Sequence, residues 1–255
     1  IGSGISGLTL ALDVADHVDV IVLSKRALDD TNTRWAQGGV AAALGDDDTP
    51  LLHARDTINA GAGLVDEAAA RVLAEAGPRE VRALAALGAP FDRNADGAFE
   101  LSREAAHSRA RVARVKGDQA GAGILSALIK AARETASLTI RDGWTAAALL
   151  QDDNGACAGV LAEGPCGRRD VLAASAVVLA AGSLCGLYGV TTTPWTSQGQ
   201  AIAMAARLGA LIRDPEFVQF HPTAIDVGRD PAPLATEALR GEGAILTDRS
   251  GKRFM

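Results

Sequence analysis

Three glycines at the start of the chain constrain its fold more than any other feature. Gly2, Gly4 and Gly7 stand in the order Gly-Ser-Gly-Ile-Ser-Gly, and residues 5–15 follow with helical spacing. The first glycine allows a tight turn, the second admits a pyrophosphate, and the third packs a helix against a strand. The apolar run 18–23 then predicts a buried strand. This order predicts a dinucleotide-binding unit with phosphate at the helix N-terminus, although a glycine-rich turn without a ligand remains the alternative.

The composition excludes several classes of protein. With 48% hydrophobic residues, 22% charged residues and a net charge of −6, the 255-residue chain is neither disordered nor charged for nucleic-acid binding. Its longest apolar stretch, residues 171–181, is shorter than the ~20 residues that cross a bilayer. Three cysteines without a Cys-x-x-Cys pair indicate free thiols in a reducing, cytoplasmic compartment. We therefore expect no metal site and neither nucleic acid nor membrane as a partner.

Helix and strand patterns mix along the rest of the chain. Gly77-Pro78 predicts a break between two alanine-rich helices, and the run Asp46 to Asp48 is expected to form a solvated loop. The predicted helices cover 66–76, 78–87, 122–136 and 200–208, and the predicted strands cover 138–140, 145–150, 158–162, 171–172 and 176–180, with a turn at 153–155. This mixture predicts an α/β fold that contains a β-meander.

The second strand ends in Ser24-Lys25, where a simple NAD site would carry an acidic residue for the ribose. Lys25 could instead meet a phosphate or a ribose edge, or it could be an ordinary solvated lysine. A polar loop then leads into the paired glycines Gly38-Gly39. Such a loop can press backbone amides against a flat ring and its phosphates.

Three further motifs follow in order. They are the segment from Asn32 to Gly39, Phe220-His221-Pro222-Thr223, and the segment from Thr236 to Gly243. Together with the glycine turn they resemble the succinate dehydrogenase/fumarate reductase flavoprotein family over nearly the whole chain. The resemblance implies a Rossmann-like FAD-binding domain of the glutathione-reductase type at residues 1–217, with its first strand largely missing. It also implies the start of an α+β capping domain at residues 218–255.

Two features are similar to the L-aspartate oxidase branch of that family. The dehydrogenase branch attaches FAD covalently through a histidine at the position of Asn32, so the resemblance implies FAD that is held non-covalently. The run Ser-Arg-Glu-Ala-Ala-His-Ser at 102–108 is similar to the branch motif Thr-Arg-Glu-Gly-Gly-His-Ser. Glu104 would then pair with the α-ammonium of aspartate, which succinate lacks. The alternative is an Arg103–Glu104 pair on a surface helix.

The resemblance also assigns site residues by motif. Substrate binding and orientation are expected from Glu104, His221, Thr236 and Glu237. The FAD contacts are expected from Gly2, Ser3, Gly4, Ile5, Ser6, Gly7, Ser24, Lys25, Asn32, Thr33, Arg34, Trp35, Ala36, Gln37, Gly38, Gly39, Ala181, Gly182 and Gln200. His221 could instead be structural, Thr236-Glu237 could be a helix cap, and His107 either orients the Glu104 loop or makes a core hydrogen bond. His17 and His53 receive no role.

The activity implied is the FAD-dependent oxidation of L-aspartate to iminosuccinate in NAD biosynthesis, with oxygen or fumarate as acceptor. L-aspartate and fumarate would be the ligands, with a hand-off of product to quinolinate synthase. The family's acid/base arginine is expected beyond Met255, so we expect a fragment that is inactive alone. Two alternatives are a fumarate reductase/succinate dehydrogenase-type oxidoreductase and a degenerate relative without chemistry. Ala105, Ala106 and Gln200, which depart from the branch pattern, motivate the second alternative.

Overall fold

The computed structural model describes residues 1–236, 238–241 and 243–254. The chain divides into two compact units. The first unit contains residues 1–34 and 125–234, and the second contains residues 35–124 and 235–255. The domain boundary predicted after residue 217 stays a prediction.

The first unit is built around a small parallel sheet. Helix α1 (Ile5–Val14) leads to strand β1 (Val20–Ser24), as the sequence predicts. Strand β1 pairs in parallel with β5 (Leu138–Asp142). On the other side of β1, the amide of Gly2 donates to the Leu23 carbonyl at 2.8 Å, so the chain start adds to the same sheet.

Residues 176–180 were expected to form a strand, and this expectation is wrong. The segment is extended near the chain start, where the Ala180 amide donates to the Ile1 carbonyl at 2.8 Å and the Ile1 ammonium group donates to the Val178 carbonyl at 2.8 Å. Ile1 is the one described residue that pairs with this segment, and one residue of pairing is too short for a ladder.

Three antiparallel strands form the predicted β-meander of the first unit. They are β6 (Thr145–Gln151), β7 (Cys157–Glu163) and β8 (Arg169–Ala173), in that order. The turn between β6 and β7 closes where the Gly155 amide donates to the Asp152 carbonyl at 3.0 Å. Val160 and Ala162 are buried and pack with Leu23 of β1, so the meander covers one part of the parallel sheet.

The remaining helices of the first unit are short. Helix α6 (Gln200–Arg207) matches its prediction, and 3₁₀ turns lie at Pro165–Gly167 and Cys185–Leu187. Helices α2 (Asn32–Trp35) and α5 (Ala120–Glu134) each contain a boundary between the two units. Among the helices of the described residues, none is both long and apolar enough to cross a membrane.

The second unit combines a helical hairpin with a small antiparallel sheet. Helix α3 (Pro50–Ala60) packs against α4 (Glu67–Ala86). The sheet has the strand order β2 (Val40–Ala41), β4 (Val112–Ala113), β3 (Leu101–Ser102). A single helical turn, α7 (Ala238–Gly241), follows Thr236 in sequence.

Helix α4 corrects the prediction of two helices separated at Gly77-Pro78. It is continuous, with Pro78 inside it. The buried residues Ala70, Ala74, Val81 and Leu84 keep one helical face across the proline. A Cβ on Gly77 would lie 3.4 Å from that of Ala42, an ordinary van der Waals distance, so this part of α4 lies beside residue 42. Burial of the common face therefore outweighs the loss of one backbone hydrogen bond at Pro78.

Candidate functional site

The first unit contains a cavity of about 790 Å³, a volume within the range of small-molecule sites. It lies where the glycine turn, the end of β1 and the starts of α2 and α6 come together. Twelve of the predicted cofactor residues line it: Gly2, Ser3, Gly4, Ile5, Ser6, Ser24, Lys25, Asn32, Thr33, Ala181, Gly182 and Gln200. The cavity thus collects residues that are far apart in the sequence.

The three glycines of the turn serve different physical needs. Gly2 has a φ of +110°, and a Cβ there would lie 2.2 Å from the Ala180 carbonyl oxygen. A Cβ on Gly7 would lie 2.1 Å from the carbonyl oxygen of Gly2. Gly4 instead has a φ of −73° and no backbone atom in close approach, and its Cβ would come within 3.1 Å of the Thr33 hydroxyl. Packing therefore requires Gly2 and Gly7, whereas Gly4 keeps space open at the cavity, as a cofactor phosphate needs.

Helix α1 begins at this cavity. Gly4 is its N-cap and provides no side-chain hydrogen bond, while the Ile5 amide donates to Thr33 Oγ1 at 3.0 Å. First-turn amides have no partner within a helix, and the helix dipole adds positive potential at that end. The N-terminus of α1 therefore fits an anionic group such as a pyrophosphate.

The end of β1 is held by hydroxyl groups. Ser3 Oγ and Ser24 Oγ are 2.8 Å apart and buried, and Ser3 Oγ also lies 3.4 Å from the Leu28 carbonyl oxygen. The Lys25 ammonium donates to the Thr196 carbonyl, and burial, followed by the charge of Arg26, lowers the pKa of Lys25. Lys25 is thus attached to the cavity wall, and its contact with a phosphate or ribose stays a prediction.

Asn32 is fixed inside the same cavity. Its Oδ1 accepts a hydrogen bond from Ser197 Oγ at 3.1 Å, and a Cβ on Gly182 would lie 3.7 Å from its Nδ2. A carboxamide lacks the nucleophilic ring nitrogen through which a histidine can bond to a flavin. Gln200 also lines the cavity, and its Nε2 donates to Gln198 Oε1 at 3.2 Å.

The other predicted cofactor residues lie outside the lining of this cavity. Gly7 packs behind the turn, and Arg34 is exposed and pairs with Asp29 at 3.0 Å. Gln37 has a buried Oε1 without a hydrogen-bond partner among the described residues, which fits an acceptor kept for a ligand. Five of the predicted cofactor residues belong to the second unit: Trp35, Ala36, Gln37, Gly38 and Gly39.

The loop that carries Glu104 meets two other motifs within the second unit. A Cβ on Gly38 would lie 3.1 Å from Glu104 Oε1, so the glycine leaves space for this half-buried carboxylate. A Cβ on Gly241 would lie 2.7 Å from the Arg103 carbonyl oxygen and 3.5 Å from Glu104 Cα. Two motifs that are distant in sequence therefore meet the Glu104 loop, Gly38 at the carboxylate and Gly241 at the backbone.

The alternative of an Arg103–Glu104 pair on a helix is wrong. Both residues lie in the loop between β3 and β4, where Arg103 Nε donates to the His107 carbonyl at 2.9 Å. Neither Ala105 nor Ala106 has a positive φ. These alanines therefore introduce no left-handed strain into the loop.

The remaining predicted substrate residues lie in different units. His221 belongs to the first unit, where its Nδ1 lies 3.2 Å from Thr223 Oγ1 and 3.3 Å from the Thr223 amide nitrogen. Thr236 belongs to the second unit and is half-buried, and Glu237 lies outside the described residues. A common role for these three residues stays a prediction.

Sequence reasoning missed a buried charged cluster in the second unit. Arg111 is 0% exposed and forms a bidentate pair with Asp48 through Nε at 2.8 Å and Nη2 at 2.9 Å. Its Nη1 donates to Asp56 at 2.8 Å and lies 3.3 Å from His107 Nδ1. Asp48 is therefore not part of a solvated loop, because an arginine 63 positions away neutralises it.

Metal binding has no candidate cluster in the part of the chain that the structure describes. His53 and His107 are in edge-on ring contact at 5.7 Å between centroids, and Arg111 lies close to the same pair. Burial, and next the charge of Arg111, lowers the pKa of each imidazole. The lowered pKa favours the neutral form of both rings. His107 Nδ1 lies beside Arg111 Nη1, whereas His53 Nδ1 is buried without a hydrogen-bond partner among the described residues.

The family match and the sequence relatives of this chain indicate the same kind of protein. The family described as FAD binding domain matches residues 1–255. L-aspartate oxidase from Caulobacter vibrioides is 57% identical over 258 residues, which cover 100% of this chain and 50% of that protein. L-aspartate oxidase from Mesorhizobium japonicum is 47% identical and covers 100% of this chain and 49% of that protein. The chain spans about half the length of the curated relatives it matches.

Solved structures agree with this family. E. coli quinol fumarate reductase FrdA, as a point variant, has a TM-score of 0.91 at 28% identity over 98% of this chain and 43% of that chain. Mycobacterium smegmatis Sdh1 in complex with UQ1 has a TM-score of 0.87 at 32% identity over 100% of this chain and 45% of that chain. The predicted α/β flavoprotein fold and the predicted cofactor are confirmed. The chain belongs to the FAD-binding domain family, within the succinate dehydrogenase/fumarate reductase group of flavoproteins, and its cofactor is FAD.

Proposed function

We propose that the protein containing this chain oxidises L-aspartate to iminosuccinate, with oxygen or fumarate as electron acceptor. The observation that carries the proposal is the position of the Glu104 carboxylate beside Gly38, where an added Cβ would come within 3.1 Å of Oε1 and narrow its space. The identity to proteins named L-aspartate oxidase over the whole chain supports the same substrate.

The conversion removes a hydride from Cα of L-aspartate and a proton from its nitrogen. FAD, when bound, supplies the two-electron acceptor for this oxidation. Oxygen then becomes hydrogen peroxide, or fumarate becomes succinate, so that electrons and protons balance. The task of the chain is to hold the substrate so that its Cα–H bond is correctly oriented, an effect that lowers the entropic part of the barrier.

Glu104 is the residue that distinguishes an amino diacid from a plain diacid. Its carboxylate would pair with the α-ammonium of L-aspartate, which succinate and fumarate lack. A half-buried carboxylate that loses solvent without gaining a cation is penalised, so succinate would be disfavoured. His221, Thr236 and Glu237 would bind the substrate carboxylates and fix their orientation.

The cofactor would be held by non-covalent contacts alone. The first-turn amides of α1 would bind its pyrophosphate, and Ser24 and Lys25 would lie near its ribose or phosphates. Asn32 supports the non-covalent assignment because its amide is held by Ser197 and lacks a nucleophilic nitrogen.

The proposed setting is NAD biosynthesis in the cytoplasm, with iminosuccinate passed to quinolinate synthase. The compartment is supported by the three free cysteines, Cys157, Cys166 and Cys185, which fit a reducing environment. The unstable imine product supports a rapid hand-off to the next enzyme.

The test uses the purified full-length protein. We expect a yellow protein that releases peroxide with L-aspartate and not with succinate. Glu104→Gln should raise KM for L-aspartate by about 30-fold or more while fumarate reduction is retained, since only the ammonium partner is lost. Succinate oxidation without L-aspartate oxidation would instead support a dehydrogenase-type enzyme. A colourless protein that takes up no flavin would support a degenerate relative.

A further inference from the structure

The buried charged cluster of the second unit is attached to the Glu104 loop. Arg111 is anchored in the sheet, because its amide donates to the Ser102 carbonyl at 3.1 Å and its carbonyl accepts from the Ala42 amide at 2.9 Å. Its guanidinium group binds Asp48 and Asp56. The backbone and the side chain of Arg111 are therefore both fixed.

Asp56 connects this arginine to the loop. Its Oδ2 accepts from Arg111 Nη1 at 2.8 Å, and from both the amide and the hydroxyl of Ser108 at 2.7 Å. Burial alone would raise the pKa of Asp56, but the hydrogen bonds from Ser108 and the nearby Arg111 charge lower it. One buried carboxylate thus holds helix α3, the arginine and the C-terminal end of the loop together.

The same contacts extend from Ser108 to Glu104. Arg111 Nη1 lies 3.3 Å from His107 Nδ1, which must act as the acceptor because a guanidinium group only donates. The His107 amide donates to the Glu104 carbonyl at 3.0 Å. Glu104 is therefore one hydrogen bond away from the cluster that Arg111 organises.

A buried cluster of charged side chains adds little to the free energy of unfolding. Desolvation of buried ions cancels much of their attraction, and apolar residues of similar volume often stabilise a protein at least as well. Buried ionic groups are better suited to fix one arrangement of the chain. Here the arrangement that they fix includes the loop of Glu104, the residue proposed to bind the substrate ammonium group.

We propose that Asp56 and Arg111 are positioning residues that hold the 104–108 loop so that Glu104 meets the ammonium group of an amino diacid. This inference rests on the proposed function of Glu104. Neither residue contacts the substrate in this role. Asp56 acts through Ser108, and Arg111 acts through His107.

The experiment compares Asp56→Asn and the milder Ser108→Ala in the full-length holoenzyme. Asp56→Asn keeps the shape of the side chain, and Arg111 keeps its bidentate partner Asp48, so folding should be retained. We expect KM for L-aspartate to rise by about tenfold in Asp56→Asn and about threefold in Ser108→Ala, with KM for fumarate unchanged. Deuterium uptake at residues 102–109 should increase in both variants.

Thr57→Ala is the matched control. Thr57 is the exposed next residue on α3, and its hydroxyl donates to the His53 carbonyl at 3.1 Å. It should change neither KM nor uptake at 102–109. In a Glu104→Gln background, Asp56→Asn should cause no further rise in KM for L-aspartate, because both changes act on one interaction.

Two results would overturn the proposal: equal increases of KM for L-aspartate and fumarate, or an Asp56→Asn effect that multiplies with that of Glu104→Gln. A wild-type protein that does not oxidise L-aspartate would reject the proposed function instead. The exchange measurement then decides the positioning role by itself. Unchanged uptake at 102–109 in Asp56→Asn rejects it, and increased uptake supports it.

Discussion

At the scale of single residues, the three glycines of the turn should respond differently to alanine. Gly2→Ala and Gly7→Ala place a Cβ 2.2 Å and 2.1 Å from backbone carbonyl oxygens, so each should lower the free energy of unfolding by about 2–5 kcal/mol. Gly4→Ala meets only the Thr33 hydroxyl, at 3.1 Å, and should leave the fold intact. It should weaken FAD binding by about tenfold or more, because the pyrophosphate must approach closely. Urea unfolding and flavin titration measure the two effects.

Gly189→Ala is the control for this series, since no atom lies within 4 Å of the added Cβ and its φ is not positive. It should change neither stability nor flavin affinity. If Gly4→Ala retained wild-type affinity for FAD, the assignment of the α1 N-terminus as the pyrophosphate site would be wrong.

Two histidines of the second unit predict how stability depends on pH. Burial and then Arg111 lower the pKa of His53 and of His107, while the charges of Asp48 and Asp56 partly oppose this. The unfolded chain therefore takes up protons first as pH falls below about 6.5. The stabilisation from keeping both rings neutral is complete above that pH and is lost as pH falls toward the lowered values.

Urea unfolding at pH 7.5, 6.5 and 5.5 measures this loss. His107→Gln should have a shallower dependence on pH than the wild type, because it removes one of the two titrating groups. Thr57→Ala, at an exposed position on α3 without a titratable group, should keep the wild-type slope. A wild-type protein more stable at pH 5.5 than at pH 7.5 would contradict the assigned direction.

The residues predicted for the cofactor site come from local motifs, and twelve of them line the cavity of the first unit, while their contact with FAD stays a prediction. The glycine turn, Ser24-Lys25 and the loop from Asn32 each lie within a few positions of one another. The Arg111 cluster was not predictable, because its partners are 55 and 63 positions away and belong to no short motif. Asp48 in an Asp-Asp-Asp run has the pattern of a solvated loop, and only the sheet that carries Arg111 makes it a buried residue.

At the scale of elements, amphipathic patterns and turn residues predicted α1, β1, α5, α6 and the meander to within about two residues. Two errors have a common cause. Residues 176–180 pair with Ile1 alone among the described residues, and α4 continues through Pro78 because its buried face is shared. Both outcomes depend on tertiary neighbours, which local propensity does not contain.

Pro78 therefore destabilises helix α4, and replacing it should remove this effect. Pro78→Ala restores an amide that can donate to the Ala74 carbonyl and removes the ring from the helix interior, so unfolding should require about 1–3 kcal/mol more. Arg79→Ala, at the adjacent exposed position, should change stability by less than about 0.5 kcal/mol. Thermal and urea unfolding of both variants test this, and a destabilised Pro78→Ala would mean that the helix needs its proline for packing.

At the scale of the whole molecule, the fold and the cofactor follow from motifs that are spread over the chain, and no single motif would suffice. A glycine turn alone is common to many nucleotide-binding folds. Here it is combined with a cavity of about 790 Å³, a meander, and a match of the FAD-binding family over residues 1–255. The cavity is lined by residues of the first unit, so we expect FAD to stabilise that unit directly.

FAD should protect the elements that form the cavity of the first unit. A ligand that binds only the folded state stabilises it by RT ln(1 + [L]/Kd), which is about 2.7 kcal/mol at a hundredfold excess over Kd. After removal of flavin, added FAD should slow deuterium exchange at residues 1–34 and 178–202, which contain the glycine turn, Asn32 and the start of α6. Gly189→Ala should show the same protection, and Gly4→Ala should show it only at about tenfold higher FAD. Protection that spared residues 1–34 would show that the flavin binds elsewhere than the N-terminus of α1.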